Sequence, residues 1–209
     1  MKKVLLLATA CASLSMAGAQ TIRNGNFENW NAVTFDRLDS WKTSRDENPE
    51  VPAVIKTSDS RSGSAIKLET VDFKGEAQFG FFTNSGGNPI EGEGGAAYSQ
   101  KPTAISGYYK CNIVAGDSAI FLVIFKKQGA ILDMKLVKFA GTRTSFTQFT
   151  LPLTLSATPD SVVIAAASGN VEAGDNPPVG STITFDDITL SGPGITQQLD
   201  NGGFDNWTP

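Results

Sequence analysis

From Val51 to Leu190 apolar residues either alternate with polar ones or run in short blocks, and Gly, Pro, Asn, Asp and Ser punctuate the blocks. No segment sustains a helical apolar period over several turns, so the blocks predict strands. The expected strands are Ala53 to Lys56, Ala65 to Thr70, Ala77 to Thr83, Thr103 to Asn112, Ser118 to Lys127, Ile131 to Phe139, Phe146 to Leu153, Ser161 to Ala167 and Thr182 to Leu190. So many strands in one domain predict an all-β fold, a two-sheet antiparallel β-sandwich. Ile105, Gly107, Tyr109, Cys111 and Ile113 share one parity, while Ser106, Tyr108, Lys110 and Asn112 share the other. That alternation is expected of a strand wet on one face. Ala119 to Phe125 is apolar throughout, which predicts a central strand covered on both faces. In the last strand Ile183 and Phe185 alternate, but Ile188 and Leu190 fall on the opposite parity. One extra residue near Asp186-Asp187, a β-bulge that re-aims a carboxylate, accounts for the slip.

Composition then removes whole classes of function. The 209 residues are 40% hydrophobic, enough for a sizeable core, with 17 Lys+Arg against 21 Asp+Glu and a net charge of -4. A chain of this sign offers no basic footprint for nucleic acid. Histidine is absent, which excludes Ser-His-Asp and Cys-His nucleophilic machinery and zinc sites built on imidazole. Met1 to Gln20 combines two lysines, an apolar core from Val4 and an Ala17-Gly18-Ala19 end, the pattern of a signal peptide over 1–19 with the mature start at Gln20. Lipid attachment at Cys11 is the alternative, though Ala8-Thr9-Ala10 makes a poor lipobox. No later run is long and apolar enough to span a bilayer, so the expectation is an exported, extracellular or cell-surface protein without a transmembrane segment. Cleavage after Ala19 leaves Cys111 alone, a small buried side chain in a strand.

Asn84 to Ala97 is a long Gly-rich loop that lacks the GK[ST] ending of a phosphate-binding loop. Ser191-Gly192-Pro193-Gly194 reads as the start of a linker. Beyond it, Leu199 to Trp207 repeats Ile22 to Trp30, with Asn, Gly, Phe, Asn and Trp identical and Glu28 replaced by Asp205. The opening motif thus occurs twice, one domain length apart. The organisation expected is a β-sandwich over 20–192, then a linker and the start of a second, truncated repeat over 193–209, as in a longer tandem protein. A tail that docks on its own domain is the alternative.

Asn24-Gly25-Asn26-Phe27-Glu28-Asn29-Trp30, Asp39-Ser40-Trp41, Arg61 to Leu68 (RSGSAIKL) and Ile183 to Leu190 (ITFDDITL) come in an order that resembles the galactose-binding-like jelly roll of many carbohydrate-binding modules. Gly107 to Lys110 and Pro159 to Val162 also resemble secreted carbohydrate-metabolism-type domains of Bacteroidetes. The resemblance spans about Thr21 to Leu190 and implies a jelly roll with a structural Ca²⁺ at one rim. The ligands it implies are Glu28, Asp187 and main-chain oxygens near Ser62 and Ser64, with Asp186 a further candidate. Ca²⁺ takes 6 to 8 oxygen ligands and needs no histidine. Arg61 departs from this pattern, because a cation beside the site would repel the metal.

The function this implies is a non-catalytic carbohydrate-binding module in a larger tandem-domain protein, with a polysaccharide or glycan as partner. A structural or adhesion spacer is the alternative, and a glycan-active enzyme a third reading. Glycan sites stack aromatic rings on sugar C–H faces and grip hydroxyls with polar groups. Tyr108, beside Lys110 and Asn112 on the polar parity, is the leading candidate, with Tyr98 in the Gly-rich loop second and Trp30 also considered; Trp41 reads as core. A hydrolase would need two poised carboxylates. Glu91 with Glu93 and Asp186 with Asp187 do not look poised, which leaves pairs such as Glu69 with Glu76 or Asp72.

Overall fold

The computed structural model describes residues 26–28, 34–170 and 177–209. The chain divides into one unit over Met1–Ala32 and another over Val33–Pro209. The leader expected over 1–19 and Trp30 lie outside the described residues. In the second unit the elements are β1 (Arg37–Leu38), β2 (Lys42–Thr43), the short helix α1 (Ser44–Glu47), β3 (Val54–Thr57), β4 (Ala65–Glu69), β5 (Val71–Phe73), β6 (Glu76–Gln78), β7 (Phe81–Thr83) and β8 (Ala96–Ala97). The longer strands follow: β9 (Ala104–Asn112), β10 (Ala119–Lys127), β11 (Ala130–Phe139), β12 (Thr142–Pro152), β13 (Ser161–Ala167), β14 (Thr182–Ser191) and finally β15 (Trp207–Thr208).

Two antiparallel sheets form the expected sandwich. One runs β11-β10-β13-β7-β2, with β8 also on β13, and the other runs β12-β9-β14-β4-β3. Their inner faces share a core of aromatic rings: Phe82, Phe121, Phe139, Phe149 and Phe185 meet edge to face or tilted at centroid distances of 5.1–6.2 Å. β10 is buried at every residue from Ala119 to Lys126, as its unbroken apolar run predicts. The expected strand over Ala77 to Thr83 is instead divided into β6 and β7. At the break, a Cβ on Gly80 would lie 2.1 Å from the Ala53 carbonyl oxygen, so the backbone passes too close to its neighbour for any side chain. The bulge in β14 is present: pairing with β9 slips between Asp186 and Thr189, and Asp187 has φ 51°.

The tail is placed differently from the linker and second-repeat opening expected over 193–209. It belongs to the same compact unit as the sheets. β15 pairs antiparallel with β1, Trp207 opposite Leu38. Phe204 is fully buried, its ring 5.7 Å from Trp41 and 5.1 Å from Phe82. The Trp41 indole N–H donates to the Asn201 carbonyl, and the Asn201 amide donates to the carbonyls of Asp39 and Asn206. Burying a Phe ring contributes about 1.5–3 kcal/mol, enough to hold a short segment in a gap of this shape.

Candidate functional site

Alternation brings the polar residues of four neighbouring strands onto the outer face of the five-stranded sheet. In β9 and β14, Tyr108 lies opposite Asp186, Lys110 opposite Thr184 and Asn112 opposite Thr182. Thr184 is also opposite Lys67 of β4, and Asn112 is opposite Thr142 of β12. Thr142 donates its hydroxyl to Asn112 Oδ1 at 2.9 Å. The result is a groove of about 480 Å³ lined by Asp59, Lys67, Lys110, Asn112, Arg143 and Thr184, among others. The Lys110 ammonium pairs with the Asp59 carboxylate and lies 4.9 Å from the Phe146 ring centre. Lys67 pairs with Glu69 at 3.0 Å. Hydroxyls, an amide and paired charges, ranging from the buried Thr184 to the exposed Asn112, can grip a polyol without stripping an isolated ion of its solvent.

Two of the expected rings are accounted for differently. Tyr108 is on this face, but the Arg61 guanidinium lies over its ring at 3.5 Å, so one stacking face is already taken by a cation. Tyr98 is a correction. It is 2% exposed, packs 5.7 Å from Phe125 and donates its hydroxyl to the Gln197 carbonyl; burial raises its phenol. The Gly-rich loop turns this ring inward to cover the core.

At one end of the same face the β14 bulge sets Asp186 and Asp187 beside the turn before β4. The buried Asp186 accepts the Arg61 backbone N–H at 2.7 Å through Oδ2, while its Oδ1 is buried without a partner among the described residues. Burial pushes its carboxyl above the ordinary range; the charges of Asp187 and Asp205 push the same way, against the backbone N–H groups of Arg61 and Asp187. The Arg61 side chain holds Asp187 at 2.8 Å. Asp205 Oδ1 accepts the Ser64 N–H at 2.7 Å, while Ser62 is exposed. Glu28, expected as the rim ligand, belongs to the Met1–Ala32 unit and is exposed. The carboxylate that stands with the Asp186-Asp187 pair is Asp205.

For a hard cation these oxygens are right in kind, and the orphaned Asp186 Oδ1 is the atom that would accept one. As arranged they fall short in number. Among the described residues no three acidic, cysteine or histidine side chains come together as a metal site, and Arg61 already neutralises Asp187.

A second depression of about 610 Å³ lies against the other sheet, between α1 and the Gly-rich loop, lined by Phe79, Phe81, Ile90, Ile120 and Leu122 with Lys42 and Glu47 at its border. Three of the carboxylates considered for catalysis are engaged locally: Glu69 with Lys67, Glu93 with the Asn88 N–H, and Asp72 with the Gly75 N–H. Cys111 is buried, as its parity predicts, and is free among the described residues. Asp59, Lys67, Arg143 and Asp205 were not legible as site residues from the sequence. Lys67 could have been found, since it shares β4's polar parity; Asp205 could not, because the repeat pointed it at another domain.

No protein-family model matches the chain, and no curated protein matches it. Solved structures do. The sandwich is similar to that of a candidate glycoside hydrolase from Bacteroides thetaiotaomicron, with 16% identity and a TM-score of 0.55 over 71% of this chain and 61% of that one. This chain therefore spans about three-fifths of that protein. A family 16 carbohydrate-binding module matches over 78% of this chain and all of its own, at 14% identity and a TM-score of 0.44. A family 61 module solved with β-1,4-galactotriose matches over 74% and 89%, also at 14% and 0.44. Among the described residues no helix is long and apolar enough to cross a membrane.

Proposed function

We propose that this domain is a non-catalytic carbohydrate-binding module of an exported, multidomain protein, and that its glycan lies along the groove on the outer face of the five-stranded sheet. The observation that carries this reading is the register that aligns Lys67, Thr184, Lys110 and then Thr182, Asn112, Thr142 across four strands. A row of amide, hydroxyl and ammonium groups at strand spacing, about 4.8 Å, is commensurate with the hydroxyls along a sugar chain. Phe146 beside Lys110 supplies an aromatic border. The likeness to modules that bind saccharides agrees with this reading at the level of fold.

The test is binding of the purified protein to a panel of soluble polysaccharides by affinity electrophoresis or calorimetry. Lys110→Ala and Asn112→Ala are expected to weaken binding at least ~5-fold each, about the value of one hydrogen bond. Binding that survives both but is lost in Phe81→Ala would move the glycan to the apolar depression, and no binding by any glycan would leave a structural spacer. A structural Ca²⁺ at the rim forms part of the same proposal, as a competitor of Arg61 for Asp187. A thermal midpoint that rises with Ca²⁺ over EDTA, and no longer does so in Asp187→Asn, would assign the cation. Equal midpoints would leave Arg61 as the counter-ion.

A further inference from the structure

The gap that holds Phe204 is a recognition site for a short sequence, and its contacts can be read position by position. Asn201 bridges Asp39 and Asn206 through its side chain and accepts the Trp41 indole N–H through its carbonyl. Gly202 accepts the Ile188 N–H, and a Cβ there would meet the Ile188 carbonyl oxygen at 2.5 Å, so the position demands glycine. Phe204 fills the aromatic pocket. Asp205 takes the Ser64 N–H, and Trp207 pairs with Leu38 and turns its indole N–H back to the Phe204 carbonyl. At position 203 the site is tolerant: φ is not in the left-handed region, and the contact nearest an added Cβ is the movable Asp205 carboxylate.

The chain contains a second sequence that meets every one of these requirements. Asn24, Gly25, Phe27, Asn29 and Trp30 match Asn201, Gly202, Phe204, Asn206 and Trp207; Glu28 offers the same carboxylate one methylene longer, and Asn26 falls at the tolerant position. Local geometry agrees independently of sequence. Phe27 has φ 58° and Phe204 has φ 56°, a left-handed backbone that is uncommon for any residue but glycine and costly for a bulky one. Yet Phe27 is 70% exposed while Phe204 is fully buried. Phe204 is seated, while Phe27 holds the same left-handed backbone with its ring exposed.

We propose that Asn24–Trp30 is a second ligand of this gap, so that two copies of one motif in a single chain compete for one binding site. Only residues 31–36 separate this copy from β1, whose Leu38 the motif's tryptophan pairs with, and so short a tether gives the chain's own copy a high effective concentration. Occupancy by the first copy releases Phe204 and Trp207 from the gap and frees them to seat in an unfilled gap of the same design.

The test is a double-substitution cycle in the full chain, read by thermal midpoint. If each copy can replace the other, Phe27→Ala and Phe204→Ala each lower the midpoint by less than about 3 °C, while the pair together lowers it by about 10 °C or more, as expected for an emptied Phe pocket. A loss in Phe204→Ala alone that equals the double, or a double no worse than either single, overturns the proposal. A disulfide trap gives a second reading that does not depend on stability. Ser64→Cys with Glu28→Cys, oxidised, is expected to cross-link within the monomer, as the control Ser64→Cys with Asp205→Cys must. A control that cross-links while the Glu28 pair does not, or does so only between chains, overturns it.

Discussion

Among the described residues, Lys126 and Asp186 are buried charges on opposite outer faces of the sandwich, and the two are treated in opposite ways. On the β10–β13 side, Lys126 closes the apolar run of β10 and is 7% exposed. Its ammonium donates to the carbonyls of Gly92 and Gly94 at 2.5 and 2.6 Å, stapling the Gly-rich loop over Leu122, Ile124, Val163 and Ala165. On the β9–β14 side, Asp186 is fully buried, yet one of its oxygens has no partner among the described residues and two further carboxylates stand close by. A buried charge with its hydrogen bonds made holds structure together, whereas one left half-satisfied is a cost the fold tolerates. The first marks a structural face and the second a face where stability has been given up.

The comparison can be broken or sharpened in three ways. The largest effect is expected at the staple: Lys126→Met removes both hydrogen bonds, leaves two carbonyls without their donor and releases the loop. A loss of about 2–4 kcal/mol by urea denaturation is expected, with faster proteolysis between Asn84 and Ala97. A loss below about 0.5 kcal/mol would mean the loop is held by its own turns. Next comes Asp186→Asn, which keeps an acceptor for the Arg61 N–H and removes the buried charge. Because the folded carboxyl is raised above its unfolded value, Asp186 favours the fold below the ordinary carboxylate pKa near 4 and opposes it progressively as pH rises. With EDTA present, the variant should therefore be more stable than the wild type at pH 7 by about 1 kcal/mol, and the gain should vanish below pH ~4. A variant less stable at pH 7 would show that the ionised carboxylate serves the fold. The smallest effect on stability belongs to Lys110→Ala, since its partner Asp59 is largely exposed. Less than about 0.5 kcal/mol is expected, so that any glycan binding it abolishes can be assigned to contact and not to unfolding.

The sandwich was legible because its long strands obey period-2 arithmetic. Ile105, Cys111 and Ile113 face the core as their parity requires, β10 is covered on both sides, and the slip in parity from Phe185 to Ile188 coincides with the bulge. Short edges were not legible: β1, β2, β8 and β15 are two residues each, too short to carry a period. Of the expected site, Lys110 and Asn112 fall in the groove and Asp186 and Asp187 at the rim, whereas Tyr98 turns inward and Tyr108 stacks under Arg61. A ring in a Gly-rich loop has no parity to reveal its direction, and a cation contributed from another turn is invisible to local pattern.

By itself the sequence determined the class of fold, the inward and outward faces of its long strands, and the absence of histidine chemistry, because these depend on residue type and on spacing within a few positions. It also showed that one motif occurs twice. Which copy fills the aromatic gap, which carboxylate joins Asp186 and Asp187, and which lysine is buried were decided only by the tertiary structure. Each rests on contacts between residues far apart in the chain, such as Phe204 on Phe82 or Lys126 on Gly92, where the free energy of burial and not local pattern selects the partner.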